Sequence, residues 1–266
     1  MWRSISGIQA SVSHVPEIVR ELGRAALEFV YPPSCFLCHG ELPHNLGANT
    51  SSSSFCVECL QKICPAETNV CRRCGARLGP YTVATDGCLL CRRENFAFDE
   101  VIRLGLYREE LRSACLMAKN PNGALLGQML ADVLVEVRRP AFAEHAFDAV
   151  VPVPEHWFKR ILRPQYAAET IARRIASRLK VRLSTGILGK PRWTPKQAQS
   201  SPSARRQQQK DAFQTLTQKH LRGQTLLLVD DILTTGATAD AAARVLKRLG
   251  AARVVLAVLA VSPPTA

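Results

Sequence analysis

The sequence lacks the features that are typical of membrane and exported proteins. None of its 266 residues belongs to a stretch that approaches the roughly 20 consecutive apolar residues of a membrane span. The first residues, MWRSISGIQASVSHVPE, lack the apolar core of a signal peptide. Because 47% of the side chains are hydrophobic and 21% are charged, we expect a soluble globular protein of one large or two modest domains, located in the cytoplasm.

Two common nucleotide-binding motifs are also missing. Neither G-x-x-x-x-G-K-[ST], the motif of nucleoside triphosphatases, nor G-x-G-x-x-G, the motif of dinucleotide-binding proteins, occurs in the chain. Acidic side chains are scarce, since 22 Asp and Glu stand against 35 Lys and Arg and leave a formal charge of +13. The expected partner is therefore a polyanion, either a nucleic acid or a phosphorylated small molecule.

The positive charge is concentrated in one segment of the chain. Residues 159–222 hold 16 basic and two acidic side chains, whereas residues 1–100 hold nine basic and ten acidic ones. Within the basic segment, residues 188–213 show no periodicity and are rich in Pro, Gln, Ser, Arg and Lys. Because this stretch is too long for an inert connection in a compact domain, we predict either a functional loop or a disordered segment.

Eight of the ten cysteines form four C-x-x-C pairs, arranged as two modules. Each module supplies four thiolates, the number that completes a tetrahedral zinc site without an open position, so the pattern predicts two structural zinc ions. No export signal precedes the cysteines, which disfavours disulfide bonds. The predicted ligands are Cys35, Cys38, Cys56 and Cys59 in the first module, and Cys71, Cys74, Cys88 and Cys91 in the second.

The spacing of the cysteines leaves their pairing open. Two sequential ribbons are the simplest arrangement, and an interleaved arrangement that joins the first pair to the third is also compatible with the spacing. His39, His44 and Cys64 are near enough to act as substitute ligands, but the eight ligand places are already filled, which favours surface or packed positions for them. Cys115 lies in a helix-like segment and is predicted to be a buried thiol.

Beyond residue 96, strand-like and helix-like segments alternate. This alternation predicts an α/β fold with a parallel sheet and helices on both faces. Helices are predicted over 111–119 and 124–138 and around Ile171 and Val245, and buried strands over 149–154, 225–230 and 254–261. The predicted organisation is an N-terminal amphipathic helix in residues 1–34, the cysteine modules in residues 35–95 and the α/β domain in residues 96–266.

The segment 225–239, TLLLVDDILTTGATA, is the most informative about function. A buried strand ends in two adjacent carboxylates, Asp230 and Asp231, and the turn 234–238 contains only small and hydroxylated residues before the next helix. Ligands of open parallel sheets bind beyond the carboxyl ends of the strands, where the amides that open the next helix form an anion site.

This arrangement suits a ribose phosphate. The two carboxylates can accept hydrogen bonds from the 2′- and 3′-hydroxyls, while the amides and hydroxyls of residues 234–238 hold the 5′-phosphate. Gly236 lets the backbone approach the phosphate. The alternative is an acid pair that merely ends a strand and a threonine that caps a helix, which explains the cap but not the composition of the turn.

The string VDDILTTGAT resembles the phosphoribosyl pyrophosphate (PRPP) motif of type I phosphoribosyltransferases. Together with the cysteine modules in front of it, it makes the chain similar to the ComF/ComFC family of competence-associated proteins. The order of features is also that of the family: zinc ribbons, a lysine-containing turn, a V-P-V-P strand end, a basic polar loop and the PRPP motif. Two segments differ from the usual family pattern: K-N-P-N-G at 119–123 replaces K-Y-G-G, and R-P-Q-Y-A at 163–167 replaces a string close to R-G-F-N-Q.

The resemblance implies a type I phosphoribosyltransferase-like domain behind a double zinc ribbon. It implies a protein that binds PRPP together with magnesium, which would bridge the pyrophosphate and ribose oxygens, and that transfers phosphoribosyl to an acceptor in DNA uptake or nucleotide metabolism. By this resemblance Asp230 and Asp231 bind the ribose hydroxyls, and the turn formed by Val153 and Pro154 lies beside the pyrophosphate. The residues implied for the 5′-phosphate are Thr234, Thr235, Gly236, Ala237 and Thr238.

The basic segment has three interpretations. As a mobile loop over the site, it would neutralise the charge that develops on the leaving pyrophosphate and exclude water, which makes Arg192 and Lys196 catalytic. As a groove for single-stranded DNA, with Arg205 and Arg206, it would make the protein a non-enzymatic adaptor that binds single strands or a helicase partner in natural transformation. The third interpretation is a solvated basic surface. No acid or base is evident, and phosphoribosyl transfer depends more on positioning and electrostatics than on proton transfer.

Overall fold

The computed structural model describes most of the cysteine modules and of the α/β domain. The residues described are 19, 32–42, 54–66, 69–82, 87–155, 167–190, 213–217 and 220–263. Most of the N-terminal helix predicted within residues 1–34 lies outside this set, and so do Arg192, Lys196 and the rest of the basic loop. None of the helices in the described ranges is long and apolar enough to cross a membrane.

The helices and strands follow one another in an order typical of an α/β fold. In chain order they are α1 (Val57–Ile63), β1 (Glu100–Leu106), α2 (Glu109–Ala118), α3 (Ala124–Val137), α4 (Arg139–Ala143), β2 (Ala149–Pro152), α5 (Ala167–Leu179), β3 (Leu188–Gly189), β4 (Gln214–Thr215), β5 (Thr225–Leu233), α6 (Ala237–Arg248) and β6 (Arg253–Val261).

Four strands form a parallel sheet in the order β1-β6-β5-β2, and β3 pairs with β4 as a separate antiparallel pair. The central strands β5 and β6 are nearly continuous apolar runs because the sheet is covered on both faces. The sequence pattern does not predict β1, since Glu100 and Arg103 interrupt its apolar residues. Both side chains are nevertheless buried, at 6% and 3% exposure, because the second cysteine module supplies their partners.

Side chains that alternate along β5 divide the core into two layers. Leu227 and Val229 pack with residues of α2, α3 and α5 on one face of the sheet. Leu226 and Leu228 pack with residues of α6 on the other face. The predicted fold class, a parallel sheet with helices on both faces behind a small cysteine-rich module, is confirmed.

Strand β5 is longer than the sequence pattern predicts. The strand predicted to end at Asp230 continues to Leu233, because β6 remains apolar to Val261 and pairs with it to its end. On the other side, β2 ends at Pro152, opposite Val229. The acid pair therefore begins at the first position of β5 that has no β2 partner.

Candidate functional site

The eight predicted cysteine ligands form two separate clusters. The sulfur atoms of each cluster lie within 4.8 Å of one another. Two of the separations are 3.7 Å between Cys38 and Cys56 and 3.6 Å between Cys74 and Cys88. Zn–S bonds of about 2.3 Å in a tetrahedron place sulfurs roughly 3.8 Å apart, so both clusters fit structural zinc. The pairing is sequential: the first pair of cysteines joins the second, and the third joins the fourth.

The backbone of the first module favours the thiolate form of Cys35. Burial would raise the pKa of this thiol, but the N–H groups of Cys38, Cys56 and Leu37 donate hydrogen bonds to its sulfur and lower the pKa to about 6. A zinc ligand must be deprotonated, so these amides prepare the site for the metal.

The first module is continuous with the core of the α/β domain. Cys35, Phe55 and Ile63 belong to the same buried cluster as α2 and α3. Helix α1 ends against β1, where a Cβ atom at Gly105 would lie 2.6 Å from the carbonyl oxygen of Ile63. Glycine at this position is therefore what allows the module to approach the sheet.

The second module is attached mainly by polar contacts. Its cysteines form a small cluster of their own with Ala76. The N–H of Val101 in β1 donates to the carbonyl of Arg72 at 2.7 Å, and the Arg72 guanidinium binds the carboxylates of Glu100 and Glu144. Glu100, Glu144 and His145 are also close enough together to hold a metal, but Arg72 already supplies the positive charge between the two carboxylates.

Asp230 and Asp231 lie together with Lys119 at the carboxyl end of β5. Lys119 follows α2, and its Nζ is 2.9 Å from Oδ2 of Asp231. The N–H of Asp231 donates to Oδ1 of Asp230 at 2.9 Å. Burial, together with the charge of Asp231, raises the pKa of Asp230 to about 8, although Lys119 and Lys190 oppose the rise. A carboxylate whose pKa is displaced by burial and a charged neighbour is typical of functional sites.

The turn that follows β5 leads into helix α6. Thr234 and Thr235 are exposed, and the Thr235 hydroxyl accepts a hydrogen bond from the N–H of Ala237 at 3.4 Å. Gly236 has a φ of 79°, a left-handed conformation that favours glycine. A Cβ atom there would also lie 2.7 Å from Cε1 of Phe96. Glycine is thus required both by the backbone and by its neighbour.

The structure brings part of the predicted site together. The carboxylate pair and residues 234–238 form one continuous strand end and loop, and β2 ends beside them. Val153 is buried, and its N–H donates to the carbonyl of Val229 at 2.8 Å, so it anchors the following turn, which begins with the half-buried Pro154. Arg192 and Lys196 lie outside the described residues.

Sequence reasoning did not identify two residues of the site. Lys119 belongs to the lysine-containing turn of the family resemblance, which was a signal that it had a role. Phe96 gives no signal in the sequence, because it lies between the cysteines and the α/β domain without periodicity. Cys115, in contrast, is a buried thiol as predicted.

Comparisons with protein families agree with this architecture. Residues 161–265 match the phosphoribosyl transferase domain, and residues 26–93 match the double zinc ribbon domain. A search of curated proteins finds no match to the chain.

Solved phosphoribosyltransferases appear among similar structures at low overall superposition. An adenine phosphoribosyltransferase is 22% identical, with 54% of this chain and 74% of that chain covered and a TM-score of 0.33. A purine phosphoribosyltransferase from Pyrococcus horikoshii is 16% identical, with 60% and 78% covered and a TM-score of 0.28. The protein TT1426 from Thermus thermophilus is 20% identical, with 55% and 85% covered and a TM-score of 0.30. The architecture therefore depends on the sheet, the cysteine clusters and the two family matches: residues 161–265 are similar to the phosphoribosyl transferase domain, and residues 26–93 are similar to the double zinc ribbon domain.

Proposed function

We propose that this protein binds PRPP and transfers its phosphoribosyl group to an acceptor, with release of pyrophosphate. The observation that carries the proposal is the continuity of the acid pair 230–231 with the glycine turn at the start of α6, whose Thr234 and Thr235 are exposed. The match of residues 161–265 to the phosphoribosyl transferase domain supports it.

In this proposal, Asp230 and Asp231 accept hydrogen bonds from the ribose hydroxyls. Asp231 is held by Lys119, whose side chain is 38% exposed and so can reorient when a ligand enters. The two carboxylates also suit magnesium, which prefers oxygen ligands and which we expect to enter with PRPP. When bound, magnesium would offset the negative charge of the pyrophosphate.

Residues 234–238 hold the 5′-phosphate. The exposed hydroxyls of Thr234 and Thr235 and the amides that open α6 are hydrogen-bond donors, and the helix adds a partial positive charge at its N-terminus. Because the loop has no charged side chain of its own, the phosphate is recognised by neutral donors.

The transfer requires positioning more than acid–base chemistry. The bond between C1 of the ribose and the pyrophosphate oxygen breaks, and pyrophosphate leaves with the electron pair. A lone pair of the acceptor forms the new bond to C1, and the acceptor loses its proton. Arg192 and Lys196 are proposed to neutralise the departing pyrophosphate, with the turn at Val153 and Pro154 beside it.

For the biological setting, the resemblance to the ComF/ComFC family leads us to propose a role in DNA uptake or nucleotide metabolism. The competing candidate is a non-enzymatic adaptor that binds single-stranded DNA or a helicase partner. The observation that favours it is the 16 basic side chains of residues 159–222.

The test is a calorimetric titration with Mg–PRPP. We expect saturable binding by the wild-type protein and none by the double variant Asp230→Ala, Asp231→Ala. The control variant Asp148→Ala, Glu169→Ala removes two carboxylates from the same domain and should bind normally. Undiminished binding by the acid-pair variant would refute the site.

The adaptor candidate makes a different forecast. Affinity for single-stranded DNA would fall steeply as salt rises and would drop in the Arg205→Ala, Arg206→Ala variant, while the acid-pair variant would bind DNA normally. DNA binding that responds to neither salt nor these arginines would remove this candidate.

A further inference from the structure

We infer that Phe96 is a positioning residue for the turn 234–238 and that the second zinc ribbon, unlike the first, holds it in place. The geometry of the turn then depends on a residue far earlier in the sequence, between the cysteines and β1. That the turn binds a phosphate rests on the proposed function, whereas the mechanical link between ribbon and turn does not.

The ring of Phe96 bridges the ribbon and the α/β domain. It packs against the cysteine cluster of the second module on one side and against the core beneath α6 on the other. It stacks on Phe98, with ring centroids 4.7 Å apart and planes 15° apart. Its Cε1 atom also lies against Gly236, the left-handed residue of the turn.

The backbone around Phe96 is fixed from both sides. From the ribbon, Arg73 donates to the carbonyl of Phe96 at 3.0 Å. From α6, a carboxylate oxygen of Asp240 accepts from the N–H of Ala97 at 2.7 Å, and Arg244 donates to the carbonyl of Asn95 at 2.8 Å. Asp240 and Arg244 bind each other as well, at 2.9 Å, so these contacts form one network.

The packing between this segment and α6 is otherwise incomplete. A cleft of roughly 170 Å³ lies beside these hydrogen bonds, between the segment and the helix, and is lined by Phe96, Thr235, Ala237, Asp240 and Arg244, among others. Because the segment and the helix are not in continuous contact, the ring of Phe96 and the hydrogen bonds around it carry the connection. Loss of the ring would leave the left-handed turn without its lateral support.

Adjacent arginines of one zinc knuckle allow a sharp comparison. Arg73 holds the Phe96 carbonyl, whereas Arg72 binds Glu100 and Glu144 instead. The Arg72 side chain joins the ribbon to Glu100 and Glu144, whereas the Arg73 side chain joins it to the segment that contacts the turn.

The first experiment compares Phe96→Ala with Phe142→Ala, a buried phenylalanine of the other core layer. Hydrogen exchange of the amides of residues 234–240 is measured without ligand. We expect faster exchange at these amides in Phe96→Ala only, and recovery of protection in Phe96→Leu, which restores an apolar side chain. Equal exchange in Phe96→Ala and the wild-type protein would overturn the inference.

The second experiment measures affinity for ribose 5-phosphate by calorimetry. We expect a loss of roughly tenfold in Phe96→Ala, a smaller loss in Arg73→Ala and no loss in Arg72→Ala or Phe142→Ala, since small displacements of binding groups weaken recognition strongly. Equal losses in Arg72→Ala and Arg73→Ala would overturn the route through Arg73. If the wild-type protein did not bind ribose 5-phosphate, the assignment of the turn as a phosphate site would fail, and the exchange experiment would still decide the role of Phe96.

Discussion

The two cysteine modules hold their thiols in the same way but join the rest of the protein differently. In each module, the two residues inside one C-x-x-C motif are apolar. In the first module, Phe36 and Leu37 pack against the core of the α/β domain. In the second, Leu89 and Leu90 are 73% and 52% exposed, and the arginines of the other knuckle make the contacts.

This difference separates two roles for structural zinc. The stabilisation gained by burying apolar surface depends on the area removed from water and not on the direction of the contacts. The first module therefore contributes mainly to the stability of the folded chain. Hydrogen bonds depend on the relative orientation of donor and acceptor. The second module therefore fixes the positions of the groups that it binds, which are the Glu100 carboxylate and the Phe96 carbonyl beside the turn. The first module is thus part of the hydrophobic core, whereas the second holds the segment around Phe96 next to the turn 234–238.

The largest expected contrast comes from removing one zinc ligand. Cys59→Ser and Cys88→Ser should each lose one zinc ion per chain by elemental analysis. Because Cys59 belongs to the main core, its loss should lower the free energy of unfolding of the whole domain by about 4 kcal/mol or more, which is a fraction of the roughly 10–16 kcal/mol of zinc-binding free energy found for zinc-finger peptides. Cys88→Ser should open the second module locally and change the global urea transition much less. Equal changes in the two transitions would contradict the comparison.

Truncating apolar side chains should give a smaller contrast in the same direction. Phe55 of the first module is 1% exposed, so Phe55→Ala should cost about 3–5 kcal/mol of unfolding free energy. Leu89→Ala in the second module should change it by less than about 0.5 kcal/mol, because this side chain is already in water. Urea denaturation of both variants checks the prediction. A large cost for Leu89→Ala would mean that the second module has an apolar interface of its own.

The last expected effect is at the acid pair, where neither module is involved, and it is a change in how stability depends on pH. The folded protein raises the pKa of Asp230 to about 8, above its unfolded value, so the folded state holds a proton that the unfolded state releases, and wild-type stability falls as pH rises from about 4 to 8. Asp230→Asn removes this slope. The variant should match the wild type near pH 4 and become increasingly more stable than it as pH rises towards 8, with a correspondingly higher thermal midpoint.

Thermal unfolding measured across this pH range tests the prediction at Asp230. The control is Asp148→Asn, which changes an exposed acid on the same domain and should leave the slope intact. A variant Asp230→Asn that loses stability at every pH would show that the carboxylate contributes to folding rather than being retained for a ligand.

The parts of the site that could be predicted from the sequence are short-range patterns. The eight cysteine ligands follow from C-x-x-C spacing, and their two clusters fit zinc. The strand, acid pair and glycine turn of 225–239 lie within one element and the start of the next, so their proximity needs no knowledge of the fold. The helices α2 and α3 were predicted nearly to their ends, because their apolar periodicity is clear.

Other parts depend on partners that are distant in the sequence. The sequence does not predict β1, because charged residues such as Glu100 and Arg103 are not expected in a buried strand. Their burial is explained only by their partners in the second module, Arg72 and the Gly75 carbonyl. The approach of Lys119 to Asp231 joins residues on opposite sides of the chain's basic segment. The contact of Phe96 with Gly236 has no local pattern at all.

Residue types at fixed short spacing were enough to predict the cysteine clusters and the succession of strand, acid pair and turn. The folded chain was needed to establish which cysteines lie together, which module is part of the core and which one contacts Phe96 beside the turn. These outcomes depend on contacts such as the one between Ala97 and Asp240, 143 residues apart, because such contacts form only when the sheet has brought its neighbours together.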